Sequence, residues 1–318
     1  MEKKKFLITG GTGFIGSNIS SLLVKNKHHV KIFDNNSRGS VFKIKKIKKK
    51  IKFIKGDIRN KKLLNKSLKD TDAVIHLAYI NGTKNFYKEP VKILDIAVKG
   101  IINVLDCCIK NNIKELYLAS SSEVYQTPNK IPTDESEPLK VPDVFNPRFS
   151  YGGGKIITEL MGIHYGKKFF KRLIIFRPHN VYGPDMGYDH VIPEFIKRFM
   201  KIKKKNKSFE IQGSGNETRS FIYIEDFVSA FDLIMKKGKH LNIYNIGNNE
   251  KTKISKLAKM ISNFFNKKII LRRKNINKGS TKNRRPNISK IRKLGYRRKF
   301  NLYSGLSRTV DWYRQNPK

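Results

Sequence analysis

The stretch FLITGGTGFIGSNI, residues 6–19, runs from a short apolar segment directly into a glycine-rich turn. Its Gly11-x-Gly13-x-x-Gly16 spacing permits a tight turn, lets backbone N–H groups approach a pyrophosphate, and packs a helix start against a strand. The spacing alone is common, but here it lies between a predicted strand and a predicted helix. We therefore predict the first βα turn of a dinucleotide-binding fold, in which the anion meets Gly10, Gly13, Phe14, Ile15 and Gly16.

A carboxylate at the end of the second predicted strand extends this interpretation. Asp34 follows Gly16 by 18 residues, where it can accept a hydrogen bond from a ribose 2′-hydroxyl and would repel a 2′-phosphate. NAD is therefore favoured over NADP, whereas the nearby Arg38 would suit NADP. The segment GDIR, residues 56–59, follows the third strand, and its Asp57 could meet the adenine edge or be a solvated loop residue.

Short apolar runs alternate with amphipathic stretches along the first half of the chain. This alternation predicts βαβ crossovers and the α/β class, with a doubly wound parallel Rossmann sheet. Beyond about residue 170, loops rich in Pro, Gly and Asp separate helix patterns and predict a smaller mixed α/β C-terminal lobe. We expect a NAD-binding domain at 1–170 and mainly a substrate lobe at 171–318, some of whose segments return to the Rossmann domain. The predicted strands are FLI (6–8), VKIF (30–33), IKFI (51–54), AVIHLA (73–78), LYLA (116–119) and LIIF (173–176), and the predicted later helices are 191–202, 225–237, 253–265 and 302–315.

The charge and the cysteines indicate which partners and which cellular compartment to expect. The 318 residues carry a formal net charge of +43, but the lysines are spread along an Ile- and Asn-rich background. We attribute the charge to compositional bias, do not expect a nucleic-acid partner, and note that an anionic small substrate would suit the charge. Adjacent Cys107 and Cys108 are too strained for an ordinary disulfide, which favours a reducing cytoplasm. No apolar run approaches the roughly 18 residues of a membrane span, so we expect no membrane insertion, and we predict no metal site.

The segment LYLASSSEVY delivers a serine-rich loop to the carboxyl edge of the sheet, where ligands bind in such folds. Serines in a loop usually reflect turn chemistry, but Tyr151 and Lys155, four residues apart, would share one helical face. A tyrosine that acts as a base near neutrality needs its pKa lowered by about 3 units, or about 4 kcal/mol, which a fixed ammonium and a positive nicotinamide can provide. This arrangement predicts proton removal coupled to hydride transfer.

The three glycines between that tyrosine and lysine need an explanation. Gly152, Gly153 and Gly154 each cost about 1 kcal/mol relative to alanine inside a helix. We therefore predict that cofactor, substrate or a neighbouring helix lies too close for side chains at these positions.

Several motifs together resemble one known family. TGGTGFIGSN, Asp34, HLA (76–78), SSSEVY and Tyr151-x-x-x-Lys155 resemble the extended short-chain dehydrogenase/reductases, specifically the NAD-dependent epimerase/dehydratase family that acts on nucleotide sugars. The resemblance runs from residue 6 to about residue 310. It implies a catalytic set of Ser121, which is the hydroxyl group, with Ser122, Glu123, Tyr151 and Lys155.

The resemblance also implies binding residues. Near NAD it places Asn35, Ile58, Leu77, Ala78 and Pro178, together with the residues already named. It assigns substrate contacts to Asn180 in RPHNVYGP, Arg219 in GSGNETRSF and Arg284 in NRRPNI. Buried phosphates need fixed cationic donors, and the planar fork of arginine provides several.

Family members share transient oxidation at sugar C4 and differ in what the 4-keto intermediate does next. A 4,6-dehydratase carries an acid where this chain has Ser122, which cannot readily protonate a departing hydroxyl. SSEVY and RRPNI are similar to segments of UDP-glucuronate decarboxylases, whereas FRPHNVYGPDMG and GNETRSF look more like epimerase segments. We expect a NAD-dependent nucleotide-sugar epimerase that acts through a 4-keto intermediate. The alternatives are a UDP-glucuronate decarboxylase-like enzyme, a 4,6-dehydratase, and a non-catalytic NAD(P)-binding or RNA-associated protein.

Three further features remain. Many relatives carry an asparagine near the cofactor where this chain has Ala97, and the polar and aromatic segment 79–90 has no assigned role. Helices predicted near 92–110 and 151–168 are broadly apolar, and relatives dimerise through such a pair. We therefore expect a homodimer.

Overall fold

Parallel pairing of the predicted strands builds the main sheet. In the computed structural model, which describes residues 2–202, 207–275 and 279–317, the seven-stranded sheet has the order β11-β6-β5-β4-β1-β2-β3, and all its neighbouring strands are parallel. The strands in chain order are Lys5–Thr9 (β1), His29–Asp34 (β2), Ile51–Lys55 (β3), Ala73–His76 (β4), Glu115–Ala119 (β5), Arg172–Pro178 (β6), Val181–Tyr182 (β7), Lys207–Gln212 (β8), Thr218–Arg219 (β9), Ile222–Tyr223 (β10), Asn242–Ile246 (β11), Thr252–Lys253 (β12), Ile269–Lys274 (β13) and Asn283–Arg284 (β14).

The sheet confirms the predicted doubly wound α/β fold and all six predicted strands. Strand β11 was not predicted, because its sequence NIYNI contains two asparagines and lacks the continuous apolar run of a buried strand. Strand β4 ends at His76, two residues before the end of the predicted run. Leu77 and Ala78 instead turn out of the sheet, which makes them available at its carboxyl edge.

The helices cover both faces of the sheet and form most of the second lobe. The four helices predicted after residue 190 are confirmed, with ends within two residues of the predicted ones. In chain order the helices are Phe14–Lys25 (α1), Lys61–Ser67 (α2), Thr83–Lys88 (α3), Pro90–Lys110 (α4), Phe149–Phe169 (α5), Val191–Lys201 (α6), Ile224–Lys237 (α7), Ile254–Phe264 (α8), Ser289–Lys293 (α9) and Leu302–Gln315 (α10), with 3₁₀ segments at Val41–Lys50 and Ser122–Tyr125.

Alternate residues of each central strand enter different cores. Phe6 and Ile8 of β1 belong to the core under α1 and α7, whereas Leu7 joins the core under α4 and α5. Each of these side chains is at most 4% exposed. Burial on both faces explains why the strands are continuous apolar runs, and each such side chain contributes roughly 1.5–3 kcal/mol.

The second lobe is small and mixed, as predicted. Strands β8 and β13 pair in parallel, β7 pairs with β10, and β9 lies between β12 and β14. Its core includes the stacked rings of Phe199 and Phe209, whose centroids are 4.2 Å apart. The β9–β14 register places Arg219 beside Arg284, so two predicted substrate residues become neighbours although 65 positions separate them in the chain.

Within residues 2–202, 207–275 and 279–317, no helix combines the length and apolarity needed to cross a bilayer. In the same ranges, no group of three or more His, Cys, Asp or Glu side chains could hold a metal ion. Cys107 and Cys108 lie buried and unpaired on α4, and burial raises the pKa of both thiols.

Candidate active site

A groove lies at the carboxyl ends of β1, β2 and β4, where the strand order reverses. Eight of the predicted cofactor residues line it, namely Gly10, Gly13, Asp34, Asn35, Asp57, Ile58, Leu77 and Ala78. The sequence analysis did not assign the other lining residues to the cofactor: Phe33, Ser37, Arg38, Gly39, Gly56, Tyr79, Ile80 and Ile96. Three of these residues, Phe33, Gly56 and Tyr79, adjoin a predicted one in the chain, and that adjacency could have identified them.

The glycine turn forms one end of this groove. Gly10 has φ +73°, and a Cβ there would lie 2.7 Å from the backbone nitrogen of Ala78. A Cβ on Gly16 would lie 2.2 Å from the carbonyl oxygen of Gly10, so the helix start can approach the strand only without a side chain. Helix α1 begins at Phe14, and no side chain caps its first turn. The first backbone N–H groups, including those of Phe14 and Ile15, thus lack helical acceptors and can bind an anion.

The polar groups of the groove favour NAD. Asp34 is 8% exposed, and its carboxylate accepts hydrogen bonds from the backbone N–H groups of Thr12, at 3.0 Å, and Asn36, at 2.8 Å. Arg38, the residue that would have suited NADP, forms an ion pair with Asp189 at 2.8 Å. A carboxylate at the end of β2 and a paired arginine leave no prepared site for a 2′-phosphate. The residues present therefore fit NAD.

Asp57 lies at the groove edge within a charged network. Arg59 donates to its carboxylate from Nε at 2.9 Å and from Nη2 at 2.8 Å, and Asn35 donates at 3.0 Å. The hydrogen bonds from Arg59 are the main reason that the pKa of Asp57 is lowered to about 2. Its contact with the adenine edge stays a prediction.

The predicted catalytic hydroxyl, tyrosine and lysine converge at the end of β5. Tyr151 and Lys155 lie one turn apart on α5 and are 5% and 2% exposed. Ser121 shares a hydrogen bond with the Tyr151 hydroxyl and caps the 3₁₀ segment by accepting from the N–H of Glu123 at 3.2 Å. The Lys155 ammonium donates to the carbonyl oxygen of Ala119 at 2.7 Å.

The charge states of this pair differ from the expectation. Burial raises the pKa of Tyr151, although the hydrogen bond with Ser121 opposes this, and burial lowers the pKa of Lys155 to about 7. The described residues alone therefore do not lower the tyrosine pKa, because the enclosed phenolate would lose more hydration than they replace. Bound NAD supplies the hydride acceptor and a positive ring whose charge favours the phenolate.

The remaining predicted site residues occupy different surroundings. Ser122 is buried in the 3₁₀ segment, and Pro178 ends β6. The side-chain amide of Asn180 donates to the carbonyl oxygen of Ser220 at 3.0 Å, so it is anchored to the segment that follows Arg219. The roles of these three residues stay predictions.

An arginine cluster, formed by Arg148, Arg219 and Arg284, surrounds Glu123. The Nη1 of Arg284 donates to Glu123 Oε1 at 2.5 Å, and the Nη2 of Arg148 lies 3.7 Å from Oε2. Burial by itself would raise the pKa of Glu123, but the three arginines lower it to about 2. Burial, followed by repulsion from Arg284, lowers the pKa of Arg219 to about 10. Arg148 was missed, although its place three residues before Tyr151 could have identified it.

The glycines before Lys155 are explained in part. A Cβ on Gly154 would lie 2.1 Å from the hydroxyl oxygen of Tyr79, and one on Gly152 would lie 2.6 Å from Nε2 of Gln126 and 3.1 Å from the carbonyl oxygen of Glu123. A Cβ on Gly153 would meet only Val141, at an ordinary 3.5 Å. The prediction of close packing is therefore confirmed for two of the glycines and wrong for Gly153, which faces outward.

The unassigned segment 79–90 contributes two rings to the site. Helix α3 places Phe86 against Tyr151 in a stacked arrangement, with centroids 4.7 Å apart. Tyr79 meets the same ring edge-on, with centroids 5.1 Å apart. The tyrosine predicted as the base is thus enclosed by aromatic side chains from the loop after β4.

Comparisons with known proteins agree with this geometry. The model of the "NAD dependent epimerase/dehydratase family" matches residues 6–247. A Methanocaldococcus jannaschii protein named "Putative UDP-glucose 4-epimerase" is 34% identical, covering 98% of each chain. A Bacillus cytotoxicus UDP-N-acetyl-alpha-D-glucosaminuronate decarboxylase is 29% identical, also covering 98% of each. The crystal structure of a Thermotoga maritima UDP-glucose 4-epimerase with UDP-glucose superposes with a TM-score of 0.89 at 26% identity, covering 99% of this chain and 100% of that one. The chain belongs to the NAD-dependent epimerase/dehydratase family of enzymes.

Proposed function

We propose that this protein is a NAD-dependent nucleotide-sugar 4-epimerase. The main support for this proposal is that Ser121, Tyr151 and Lys155 lie close together beside the groove that fits NAD. The arginine cluster around Glu123 lies near them. Tyr151 removes the proton of the sugar 4-hydroxyl, and bound NAD would accept the hydride from C4, which leaves a 4-keto sugar. C4 is inverted when it regains the hydride on its opposite face, and Tyr151 then returns the proton to the oxygen.

The arginine cluster supports a substrate that contains a nucleoside diphosphate group. Three guanidinium groups surround one carboxylate, so two positive charges are left uncompensated, and the diphosphate of a nucleotide sugar carries two negative charges. Arginine also offers bidentate donors to phosphate oxygens. We propose that Arg219 and Arg284 bind the diphosphate, that Asn180 contacts the sugar, and that residues 171–318 supply most of this substrate lobe.

The surroundings of Glu123 do not favour dehydration. A 4,6-dehydratase must remove a C5 proton and protonate the departing 6-hydroxyl. Ser122 is a poor acid, and Glu123, with its pKa lowered to about 2, is a poor base for such a proton. Epimerisation needs neither step, because Tyr151 handles the one proton involved.

A second candidate is decarboxylation of a nucleotide-linked uronate, as in the Bacillus cytotoxicus relative. The observation that favours it is the similarity to that relative, which is 29% identical over 98% of each chain. A uronate carries a third negative charge, and its 4-keto form is a β-keto acid that loses carbon dioxide readily.

Product analysis by ¹H NMR distinguishes these functions. We expect one or more of a panel of UDP-, GDP-, CDP- and dTDP-hexoses and uronates to be converted to its C4 epimer. Release of carbon dioxide from UDP-glucuronate with formation of a pentose would favour the second candidate instead. A 4-keto-6-deoxy product would contradict both, and no conversion of any compound would contradict the enzymatic proposal.

We further propose a cytoplasmic homodimer that forms through α4 and α5. Val91 on α4 and Leu160 on α5 are 78% and 53% exposed, although both helices otherwise bury apolar side chains. Light scattering should give twice the monomer mass, and Leu160→Lys should shift it toward the monomer. A monomeric native protein would contradict this interface, whatever the substrate.

A further inference from the structure

Tyr79 is the first residue of the segment to which no role was assigned. Its ring lies directly over the Lys155 ammonium, with 3.9 Å between Nζ and the ring centroid. We propose that Tyr79 is a positioning residue whose ring face holds Lys155 charged and in place, in a niche that exists because positions 97 and 154 are Ala and Gly. The role assigned to Lys155 rests on the proposed function, whereas the contact and its energetic consequence do not.

Lys155 has few other groups to stabilise its charge. It is 2% exposed, and its ammonium donates to one carbonyl oxygen, that of Ala119. No carboxylate forms an ion pair with it within the described ranges. The charge of Glu159, one turn further along α5, acts to raise the pKa of Lys155, but its two oxygens accept from Arg177 at 2.8 and 2.6 Å and from Ser120.

The other titratable groups that face Lys155 do not replace a carboxylate. On β4, burial followed by repulsion from Lys155 lowers the pKa of His76 to about 3, and its Nδ1 is hydrogen-bonded with the Thr9 hydroxyl at 2.8 Å. On α5 itself, burial raises the pKa of Tyr151, so its phenol is neutral. Besides one carbonyl group and the charge of Glu159, the electron-rich face of the Tyr79 ring is therefore the surface that compensates the ammonium.

The niche for this ring is formed by two small residues. A Cβ on Gly154 would lie 2.1 Å from the Tyr79 hydroxyl oxygen and 2.6 Å from the Ala97 Cβ, so the hydroxyl reaches the point where α4 and α5 meet. A side chain at position 154 would therefore collide with the tyrosine hydroxyl and with Ala97, or displace them. Ala97, where many relatives carry an asparagine, and Gly154 thus both lie where α4 and α5 meet.

The ring, not the hydroxyl, is the useful part of Tyr79. Its hydroxyl oxygen is buried and has no hydrogen-bond partner within the described ranges, a state that is unfavourable by itself. If the site needed only an apolar filler, leucine would serve without that penalty. Replacement by phenylalanine keeps the ring over Lys155, and replacement by leucine removes it, so the two variants separate the contributions.

The first experiment measures the pKa of Lys155 in the purified protein by ¹³Cε-lysine NMR, with Lys155→Met to assign the signal. In Tyr79→Leu we expect this pKa to fall by about 1 unit, which corresponds to loss of a desolvated cation–π contact. Tyr79→Phe should leave the pKa within a few tenths of a unit and should not lower the melting temperature. Because the ammonium is lost as pH rises through its pKa, the alkaline limb of any pH–rate profile should move about 1 unit lower in Tyr79→Leu.

Two results would contradict the proposal that the ring stabilises the ammonium. One is an unchanged Lys155 pKa in Tyr79→Leu, and the other is a fall of the Lys155 pKa in Tyr79→Phe as large as that in Tyr79→Leu. If Tyr79→Leu fails to fold, Tyr79→Met removes the ring with a more adaptable side chain. Both measurements are made without substrate, so they stand if the proposed reaction is wrong, and failure of the substrate panel does not affect them.

The second experiment tests the niche by a double-mutant cycle on melting temperature. Gly154→Ala should lower the melting temperature by several degrees, because the new methyl group meets the Tyr79 hydroxyl. Gly153→Ala is the matched control and should leave it unchanged or raise it, since a Cβ there meets only Val141 at 3.5 Å. In the Tyr79→Leu background the part of the Gly154→Ala loss that the Tyr79 hydroxyl causes should disappear, whereas the part caused by the Ala97 Cβ, 2.6 Å from the new methyl group, should stay. An equal loss in both backgrounds would show that Tyr79 does not set the requirement for glycine.

Discussion

Tyr151→Phe is expected to lower turnover by about 10²- to 10⁴-fold while leaving the melting temperature and nucleotide-sugar affinity unchanged. The substitution removes the hydroxyl that we propose takes the proton of the sugar 4-hydroxyl, and it keeps the ring that packs against Phe86 and Tyr79. Turnover is measured by NMR on the substrate identified in the panel, and affinity by calorimetry.

Tyr303→Phe is the matched control for this variant. Tyr303 lies on α10 with 62% of its surface exposed, so loss of its hydroxyl should change neither turnover nor stability. Turnover of Tyr151→Phe within threefold of the native protein would contradict the role of Tyr151 as the base. A large loss of melting temperature would instead mean that the hydroxyl is structural, through its hydrogen bond with Ser121.

The parts of the site that could be predicted are those written in local sequence. A glycine turn between a strand and a helix, and an aspartate at the end of the next strand, have fixed spacing because one βαβ unit sets it. Eight predicted residues consequently line the groove. The same reasoning found Tyr151 and Lys155, since one helical turn fixes their relative position.

The parts that could not be predicted depend on contacts between distant segments. The pairing of Arg38 with Asp189 joins residues 151 positions apart in the chain, and no local pattern indicates it. Tyr79 lies over Lys155 because a loop after β4 meets α5. The requirement for glycine at position 154, and not at 153, likewise depends on a neighbour 75 positions earlier in the chain.

The charge states of the site residues also depend on contacts between distant segments. The sequence indicates which residues can titrate, but the pKa of each depends on its enclosure. Glu123 is held ionised by three arginines from three different segments, whereas Tyr151 is held neutral by its aromatic neighbours and by burial. An ionised carboxylate among arginines therefore lies near a neutral phenol, and the activation of that phenol belongs to the proposed complex with NAD and substrate.

The largest stability effect is expected at the buried ion pair of Glu159 and Arg177. Both side chains are 2% exposed, and Arg177 donates to the two Glu159 oxygens from Nε at 2.8 Å and from Nη2 at 2.6 Å. Arg177 also donates to the Tyr125 hydroxyl at 2.6 Å and to the carbonyl oxygen of Glu135 at 3.1 Å, so it joins β6 to the segment after β5. The pair therefore supports the strand ends from which Ser120 and Ser121 project.

Glu159→Ala should lower the free energy of unfolding by about 3–5 kcal/mol, because it leaves the Arg177 charge buried without a counter-charge. Urea denaturation measures the change. Glu225→Ala is the control: its ion pair with Arg308 joins side chains that are 55% and 56% exposed, so its loss should cost at most about 1 kcal/mol. The double variant Glu159→Leu/Arg177→Met should recover most of the loss, since apolar side chains of similar volume avoid the desolvation of both charges. If Glu159→Ala costs no more than the exposed control, Arg177 must find another counter-charge or reach water, and the pair does not hold the strand ends in place.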